Sequence, residues 1–193
     1  MDRDALLRHS LQPGGREPAP PALELVQSFV NTVDREHGPD LFDTVAGLRQ
    51  WLAVRRIAVS VRGAALDRAR AVREGIRSLL LVNNGHDPEP GALESLDRAL
   101  VGADVAIRFP GARPQLQPAR SGFDGFVARL AADIVNAAAA GSWSRLKACP
   151  GHNCQWAFYD RSKNRNASWC SMKICGGRAK AAAYYHRQRA TNR

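Results

Sequence analysis

The sequence lacks any long hydrophobic run. No stretch approaches the ~20 consecutive apolar residues that a membrane-spanning helix needs, and the first residues lead into no apolar segment of the kind found in signal peptides. Hydrophobic residues still make up 45% of the 193 positions, which is enough to build a core. We therefore expect a soluble, cytoplasmic protein without a membrane partner, formed by one medium domain or by a domain with a small appendage.

The motifs of the common enzyme classes are also missing. The sequence contains no G-x-G-x-x-G, P-loop or G-x-S-x-G pattern. His9, His37 and His86 stand alone in segments that are predicted to be loop or tail, where a histidine is usually exposed to solvent. Because the sequence presents no catalytic constellation, we expect a protein that is not an enzyme.

Acidic residues are nearly absent from the last quarter of the chain. Residues 145–193 contain eleven lysines and arginines but one acid, Asp160, whereas residues 1–144 contain 17 basic and 17 acidic residues. The formal net charge of +10 therefore belongs entirely to the last quarter. A neutral body with a basic tail predicts a polyanionic partner, and the alternative is a basic terminus that is merely solvated.

Cysteine is absent before position 149, and all four cysteines lie in the same basic quarter. Four residues separate Cys149 from Cys154, fifteen residues follow, and four residues separate Cys170 from Cys175. Two close pairs of cysteines separated by a short segment are typical of a structural zinc site with four thiolate ligands. Such a site leaves no position for an activated water. His152 as a replacement ligand is one alternative. An iron–sulfur cluster is another, although the spacing fits neither usual ferredoxin pattern.

The body before the cysteines is predicted to be helical. Its proline- and glycine-rich start, residues 1–20, predicts a flexible lead-in outside any core. A small hairpin is predicted at about 103–118, and Gly141-Ser142 marks the expected domain boundary. Apolar residues recur at helical spacing over 22–33, 45–54, 61–82, 88–101 and 122–140, and Asp43 or Thr44 is expected to cap the second of these helices.

Two sets of polar residues in the body have roles that the sequence leaves open. Asn31 and Asp34 lie near the end of the first predicted helix, where they are candidates to bind a ligand or to cap the helix. The arginines of the helix at 61–82 lie mainly off its apolar stripe, so we expect them to be solvated, with a nucleic-acid face as the alternative. These arginines are Arg62, Arg68, Arg70, Arg73 and Arg77.

The tail, residues 143–193, is predicted to fold as a treble-clef-like finger with a knuckle, a short hairpin and a helix. Pro150-Gly151 supplies the turn of the knuckle, and residues 155–159 alternate like a strand. Ser171 is expected to cap a helix that runs to about Arg189. So small a unit should need its metal in order to fold.

The finger also supplies the candidate nucleic-acid contacts. Lysine and arginine side chains neutralise phosphates, and a zinc-braced helix with basic flanks can enter a major groove. Trp156 and Trp169 are expected to form a small core around the metal, and Tyr184 and Tyr185 to pack on the body. The candidate contacts are Lys163, Arg165, Lys173, Arg178, Lys180, Arg187 and Arg189.

These motifs resemble a known pair of domains. The segment Leu25–Asp34, followed by a helix that contains Trp51, is similar to the start of the ABATE domain, which typically precedes a CGNR zinc finger. The resemblance implies a bacterial, stress-related transcription regulator. Its helical domain over 21–142 would sense an effector, and its finger would bind zinc through the four cysteines and bind DNA. The segments that resemble the CGNR finger are Cys149–Cys154, Phe158–Asp160, Ser162–Asn164, Trp169–Met172 and Cys175–Lys180.

Two positions depart from the family pattern and leave the zinc ligands unchanged. Gly177 stands where the C-G-N-R signature has asparagine, and residues 166–168 are Asn-Ala-Ser where the family often has Ser-Arg-Arg. Lys163, Arg165 and Lys173 replace the charge of the two missing arginines, but not their specific contacts or that of the missing asparagine.

Two other functions are compatible with the same sequence features. An RNA-binding zinc module fits the charge and the aromatic residues equally well, and a protein-interaction or thiol-redox switch is a third hypothesis. A two-fold DNA site would imply a homodimer, although no heptad repeat predicts one.

Overall fold

The computed structural model of the protein describes residues 12–36 and 38–191. The predictions for residues 1–11 and for His37 lie outside the described residues. The fold is mainly helical with two small antiparallel hairpins, which confirms the predicted fold class. None of the described helices is long and apolar enough to cross a membrane. The helices are α1 Pro21–Val30, α2 Val45–Val54, α3 Gly63–Val82, α4 Ala92–Leu100, α5 Gly122–Ala139 and α6 Gly177–Thr191, and the strands are β1 Val105–Arg108, β2 Gln115–Pro118, β3 Leu146–Ala148 and β4 Ala157–Tyr159.

The N-terminal body is built around an aromatic cluster. Phe29 of α1, Phe42 of the turn before α2, Trp51 of α2 and Phe126 of α5 are buried, with neighbouring ring centroids 5.5–6.1 Å apart. Most pairs meet edge to face, which stabilises aromatic packing beyond the burial of area. Thr44 caps α2 as predicted, because its hydroxyl accepts a hydrogen bond of 3.1 Å from the first turn of that helix.

The first hairpin, β1–β2, lies on α5 and confirms the hairpin predicted at about 103–118. Its antiparallel strands place Ile107 opposite Leu116. The side-chain amide of Asn136 on α5 continues the pairing on the far side of β2. It accepts a hydrogen bond from the Leu116 N–H (3.0 Å) and donates one to the Leu116 carbonyl (2.9 Å).

The second hairpin, β3–β4, begins the finger. The sequence predicts a short hairpin here but locates only its second strand, because β3 is three residues long and directly follows a 3-10 turn at Trp143–Arg145. After β4 the chain forms a loop, a π-helical turn at Met172–Gly176 and then α6. Ser171 caps the turn as predicted, since its hydroxyl accepts a hydrogen bond from the Ile174 N–H (3.3 Å).

The segment before α1 packs against the finger. Ala19 is buried in the core, and its N–H donates to the side chain of Gln27 (2.7 Å). The Arg16 guanidinium donates to two carbonyls of the finger, the nearer being that of Cys170 (2.7 Å). The prediction of a flexible lead-in outside any core is therefore wrong for residues 12–20, because these polar contacts fix a stretch whose composition is typical of a loop.

Candidate metal centre and basic surface

Four cysteine sulfurs converge at the start of the finger. Cys149 follows β3, Cys154 ends the knuckle, Cys170 precedes the π-helical turn and Cys175 lies within that turn. All four sulfurs lie within 4.8 Å of one another, with Cys154 to Cys170 at 3.5 Å and Cys170 to Cys175 at 3.6 Å. Sulfurs placed tetrahedrally around zinc, each about 2.3 Å from the ion, are about 3.8 Å apart. The four predicted ligands are therefore brought together at a spacing that suits zinc.

Backbone hydrogen bonds shape the knuckle. The Gly151 carbonyl accepts from the N–H groups of Cys154 (2.8 Å) and Gln155 (3.2 Å), so the chain turns tightly after Pro150. A Cβ atom at Gly151 would lie 3.3 Å from the Cys154 Cβ and 3.7 Å from the Cys149 sulfur. The predicted Pro-Gly turn therefore also leaves room for the sulfurs.

The two tryptophans of the finger belong to the same packed cluster as the cysteines. Trp156 is buried at the start of β4, and its indole N–H donates to the Gln12 side chain (3.2 Å). Trp169 is half-buried and packs against the cluster next to Cys170. Trp169 therefore lies at the metal centre as predicted, since it lines one surface with Cys154 and Cys175, whereas Trp156 lies in the continuous core that joins the finger to the body.

The cysteine thiols influence one another because they are packed together. Hydrogen bonds from Cys154 and Cys170 hold the pKa of Cys149 far below its ordinary value. The contacts among these thiols raise the pKa of Cys154 and of Cys170, and burial raises the pKa of Cys175. One thiolate thus resists the ionisation of its neighbours, and a divalent cation would allow all four sulfurs to be thiolates. This donor set fits a structural zinc ion, and His152 is exposed outside the group of ligands.

Side-chain amides join strand β4 of the finger to helix α1 of the body. Asn31, at the end of α1, accepts from the Ala157 N–H and donates to the Ala157 carbonyl, both at 2.8 Å, as a neighbouring strand would. Gln27 donates to the same carbonyl at 3.1 Å. The structure gives Asn31 this structural role, and its contact with a ligand stays a prediction. Asp34 is buried in the loop after α1 and accepts from the Glu36 N–H (3.1 Å), so it closes a local turn and does not cap the helix, whose C-cap is Asn31.

Arg77 of α3 connects the body to the knuckle inside the protein. Its buried guanidinium donates to the carbonyls of Gln155 (2.8 Å) and Val30 (2.7 Å), and its Nε lies 2.9 Å from a Glu74 carboxylate oxygen. Burial lowers the pKa of Arg77 to about 10, and Glu74 acts against this effect. Arg77 therefore remains charged at neutral pH and holds the two backbone segments together.

The prediction that the arginines of α3 are solvated is wrong for Arg73 and Arg77. Arg73 is buried against Asp40, with bonds of 2.6 and 2.7 Å to the two carboxylate oxygens. The available sequence signal was the acidic residue Glu74, which lies next to Arg73 and one turn before Arg77. Helical periodicity does not use this signal, because it scores polar residues only by their angle from the apolar stripe.

Two asparagines at the end of α3 also bind the finger, through backbone carbonyls near Cys149 and Cys170. Asn84 donates to the carbonyls of Ala148 and Ser168, both at 2.8 Å, and Asn83 donates to two carbonyls at the start of the finger (3.0 and 2.9 Å). The sequence predicts this Asn-Asn-Gly stretch only as a helix terminus. We call the five side chains that hold the finger the docking residues: Gln27, Asn31, Arg77, Asn83 and Asn84.

Two family models match consecutive parts of the chain. Residues 19–143, more than half of the protein, match the ABATE family, which carries the description "Putative stress-induced transcription regulator". The protein belongs to the ABATE family. Residues 145–188, which contain all four cysteines, match the CGNR zinc finger. No curated protein matches the chain. The resemblance stated from the sequence, an ABATE domain followed by a CGNR finger, is therefore confirmed.

The single acidic residue of the CGNR finger is buried and shapes its basic loop. Asp160 accepts hydrogen bonds from the Lys147 ammonium (2.8 Å) and from the N–H groups of Ser162 (2.9 Å) and Ala167 (3.0 Å). Burial would raise the pKa of Asp160, but the hydrogen bonds from Lys147 and Ser162 outweigh it and lower the pKa. Lys147 also donates to two loop carbonyls at 2.7 and 3.1 Å. This buried pair therefore orders the loop that carries basic residues on its outside.

The seven predicted nucleic-acid contacts are all exposed. Lys163 and Arg165 lie in the loop after β4, Lys173 lies in the π-helical turn, and the other four lie on α6. Arg178 forms an ion pair with Glu36 of the ABATE domain. That contact ties the start of α6 to the body.

Helix α6 is exposed along its length beyond its first turn. Lys180, Tyr184 and Arg187 follow at i, i+4 and i+7, so they share one face of the helix. Tyr184 and Tyr185 are exposed, and their ring centroids lie 5.8 Å apart. The prediction that the two tyrosines pack on the body is wrong, because both side chains are more than half exposed.

Proposed function

We propose that the protein is a DNA-binding transcription regulator that acts in the cytoplasm. In this proposal zinc folds the CGNR finger, the finger binds DNA, and the ABATE domain senses a small effector. We assign the chain no enzymatic activity. One electrostatic observation carries the proposal. The only acid of the finger is buried together with Lys147, and apart from this pair every charged side chain described there is basic and at least partly exposed.

Helix α6 offers a surface that suits the major groove of DNA. Lys180 and Arg187 lie on one exposed face, with Tyr184 between them. An α-helix fits this groove, where arginine can read guanine and lysine can contact phosphates. The loop residues Lys163 and Arg165 add positive charge outside the helix. Because such contacts neutralise phosphates, binding is expected to weaken steeply with salt.

The ABATE domain is connected to the finger through the docking residues. Asn31 bonds to β4, Arg77 to the knuckle, and Asn84 to the segment before Cys170. A shift of α1 or α3 would therefore move backbone groups on different sides of the metal centre. This continuous network supports a regulator in which an effector bound to the body alters the DNA-binding finger.

Fluorescence anisotropy of the zinc-loaded chain with random duplex DNA, at two salt concentrations, tests the proposal. Lys180→Ala/Arg187→Ala is expected to weaken binding by roughly tenfold and to reduce the salt slope by up to about 1.8, because two phosphate contacts are lost. Arg62→Ala/Arg113→Ala removes the same charge from exposed positions of the ABATE domain. This control should change affinity by less than about twofold. Equal losses in both variants, or no binding at low salt, would contradict the proposal.

Single-stranded RNA is a second candidate ligand, because two tyrosines lie side by side on the exposed helix. Unpaired bases stack on such rings, and the stacking tolerates any sequence. If RNA is the ligand, it binds more tightly than duplex DNA at matched salt, and Tyr184→Ala/Tyr185→Ala weakens it by roughly tenfold or more. If duplex DNA is the ligand, the same variant changes affinity by only a few-fold.

A further inference from the structure

The hairpin of the ABATE domain presents an edge strand with apolar side chains. Val105, Ile107 and Phe109 are 40, 62 and 68% exposed. They alternate along β1 and its end, so they point to one face of the hairpin. Proteins usually protect an edge strand with charges, proline or a covering segment, since its free backbone groups pair readily with another chain. Strand β1 has one charged residue, Arg108, and no proline.

The ladder shows which backbone groups of β1 point outward. Asn136 bonds to the N–H and the carbonyl of Leu116, so the backbone groups of Leu116 point away from β1. Its partner Ile107 belongs to the same non-hydrogen-bonded pair, and therefore directs its own N–H and carbonyl to the open edge. Val105 does the same two residues earlier.

No third strand covers that edge within the part of the chain that the structure describes. One long contact reaches it there, a bond of 3.4 Å from the Arg108 guanidinium to the Ile107 carbonyl. Asn136 occupies the corresponding groups on the far edge of β2, so the hairpin is protected on one edge and open on the other.

We infer that β1 pairs antiparallel with β1 of a second copy of this chain, forming a four-stranded sheet across a two-fold axis. Because Val105 and Ile107 direct their backbone groups outward, these two residues form the hydrogen-bonded pairs between the copies. We place the two-fold axis at Ala106. Val105 of each copy then faces Ile107 of the other, with four backbone hydrogen bonds in total. Ala106 faces its own equivalent on the axis, where two strands approach most closely and a small side chain fits.

Charge selects this register over its neighbours. With Ala106 on the axis, Arg108 of each copy lies directly opposite Asp104 of the other, and opposite charges at such positions are favourable. A shift of the axis by one residue, to Val105 or Ile107, keeps the same outward groups paired but loses the Arg108–Asp104 contacts. A shift by two residues would place Arg108 against Arg108, or Asp104 against Asp104, and like charges there are unfavourable. Asp104 already pairs with Arg120 at 2.6 Å, but half of its side chain stays exposed to a partner.

This inference does not rest on the proposed function, since it concerns the ABATE domain alone. If both hold, the dimer carries two fingers related by a two-fold axis, and the protein would bind DNA sites with two-fold symmetry.

Sedimentation velocity of the zinc-loaded full chain, between about 1 and 100 µM, tests the pairing. The wild-type protein is expected to reach twice the 21.1 kDa mass of one chain. Ile107→Pro removes an outward N–H and leaves the β1–β2 bonds intact, because proline is tolerated where the N–H faces the edge. It should weaken the dimer at least roughly tenfold, since two equivalent hydrogen bonds are lost.

A charge exchange keeps the test valid even if the proline variant folds poorly. Arg108→Asp faces Asp104 with a like charge and should weaken the dimer, and the exchange Asp104→Arg/Arg108→Asp/Arg120→Asp, which also keeps an ion pair between positions 104 and 120, should restore it. Arg113→Asp makes the same charge change in the hairpin turn and should leave the dimer intact. A chain that stays monomeric at the highest concentration would overturn the inference. A dimer that Ile107→Pro leaves unchanged, or that the charge exchange at positions 104, 108 and 120 does not restore, would overturn it as well.

Discussion

The ABATE domain and the CGNR finger are stabilised in different ways. The ABATE domain closes around four buried aromatic rings. The finger consists of two three-residue strands, a loop and a projecting helix, and it gathers four sulfurs at one point. So small a unit cannot bury enough apolar surface to fold by itself. The comparison points to two supports for the finger: the four-cysteine centre, whose donor set fits a metal, and the docking residues of the ABATE domain.

Removing the metal should have the largest effect of all the changes, and it should affect the finger but not the ABATE domain. Structural zinc contributes roughly 10 kcal/mol to the folding of small metal-bound units. Chelation is therefore expected to abolish the protection of amide hydrogens in β3, β4 and α6, whereas α2 and α4 keep theirs. Hydrogen exchange of the loaded and the chelated chain measures this. Unchanged exchange in the finger after chelation would show that the metal does not support it.

Phe29→Ala should destabilise the ABATE domain by disrupting its aromatic cluster. Phe29 is fully buried and touches Phe42, Trp51 and Phe126, so truncation leaves a large cavity. The free energy of unfolding should fall by about 3–5 kcal/mol, measured by urea denaturation of the zinc-loaded chain. Phe109→Ala is the control, because this ring is mostly exposed and its loss should cost less than about 0.5 kcal/mol. Similar losses in both variants would refute the aromatic cluster as the centre of the body.

Arg77→Met tests the connection between the two regions. The variant keeps an apolar stem but leaves the carbonyls of Gln155 and Val30 without their donor, and removes the buried charge that faces Glu74. A loss of about 3 kcal/mol in the free energy of unfolding is expected. Arg35→Met is the matched control, because Arg35 pairs with the same Glu74 (2.6 Å) from a more exposed position, which should be worth less than about 1 kcal/mol. Equal effects would mean that Arg77 acts as an ordinary surface ion pair.

Much of this architecture follows from short-range patterns. The apolar spacing and Thr44 predict α2 with its observed bounds, because a helix and its cap are determined within a few residues. The metal centre follows from the four-residue gaps between the cysteines, because a knuckle needs only a turn between two thiolates. Strand β3 escapes prediction because three residues carry too little periodicity.

The docking residues could not be predicted, because their partners are distant in sequence. Arg77 and Gln155 are 78 positions apart, and Asn31 and Ala157 are 126 apart. Each side chain also has a common local role, since asparagines often end helices and helical arginines are often solvated. The packed structure alone shows that these residues bind backbone groups of the finger.

Asn31→Ala probes a single docking contact. Loss of both hydrogen bonds to Ala157 leaves a buried N–H and a buried carbonyl without this partner, which should cost about 1–3 kcal/mol in urea denaturation. Asn166→Ala changes the same residue type in the exposed loop and should stay within about 0.5 kcal/mol. If Asn31→Ala changes the free energy of unfolding as little as its control does, α1 does not hold the finger.

Gly177→Asn should have the smallest effect. It restores the family residue at the start of α6, where the nearest atom to a new Cβ is the Met172 carbonyl oxygen at 3.7 Å and the backbone is helical. Because the side chain fits, thermal denaturation should report a change within about 0.5 kcal/mol. A larger loss would show that the turn requires glycine at this position.

A zinc titration into the metal-free chain tests most directly the central claim, that the metal builds the DNA-binding surface. The anisotropy of a labelled duplex is followed together with the change in near-ultraviolet circular dichroism, to which Trp156 and Trp169 of the finger contribute besides Trp51 and Trp143. Both signals are expected to reach their final values at one zinc ion per chain, and Cys170→Ser should show neither change. Strong, salt-sensitive DNA binding before zinc is added, with no gain as the metal binds, would contradict the account.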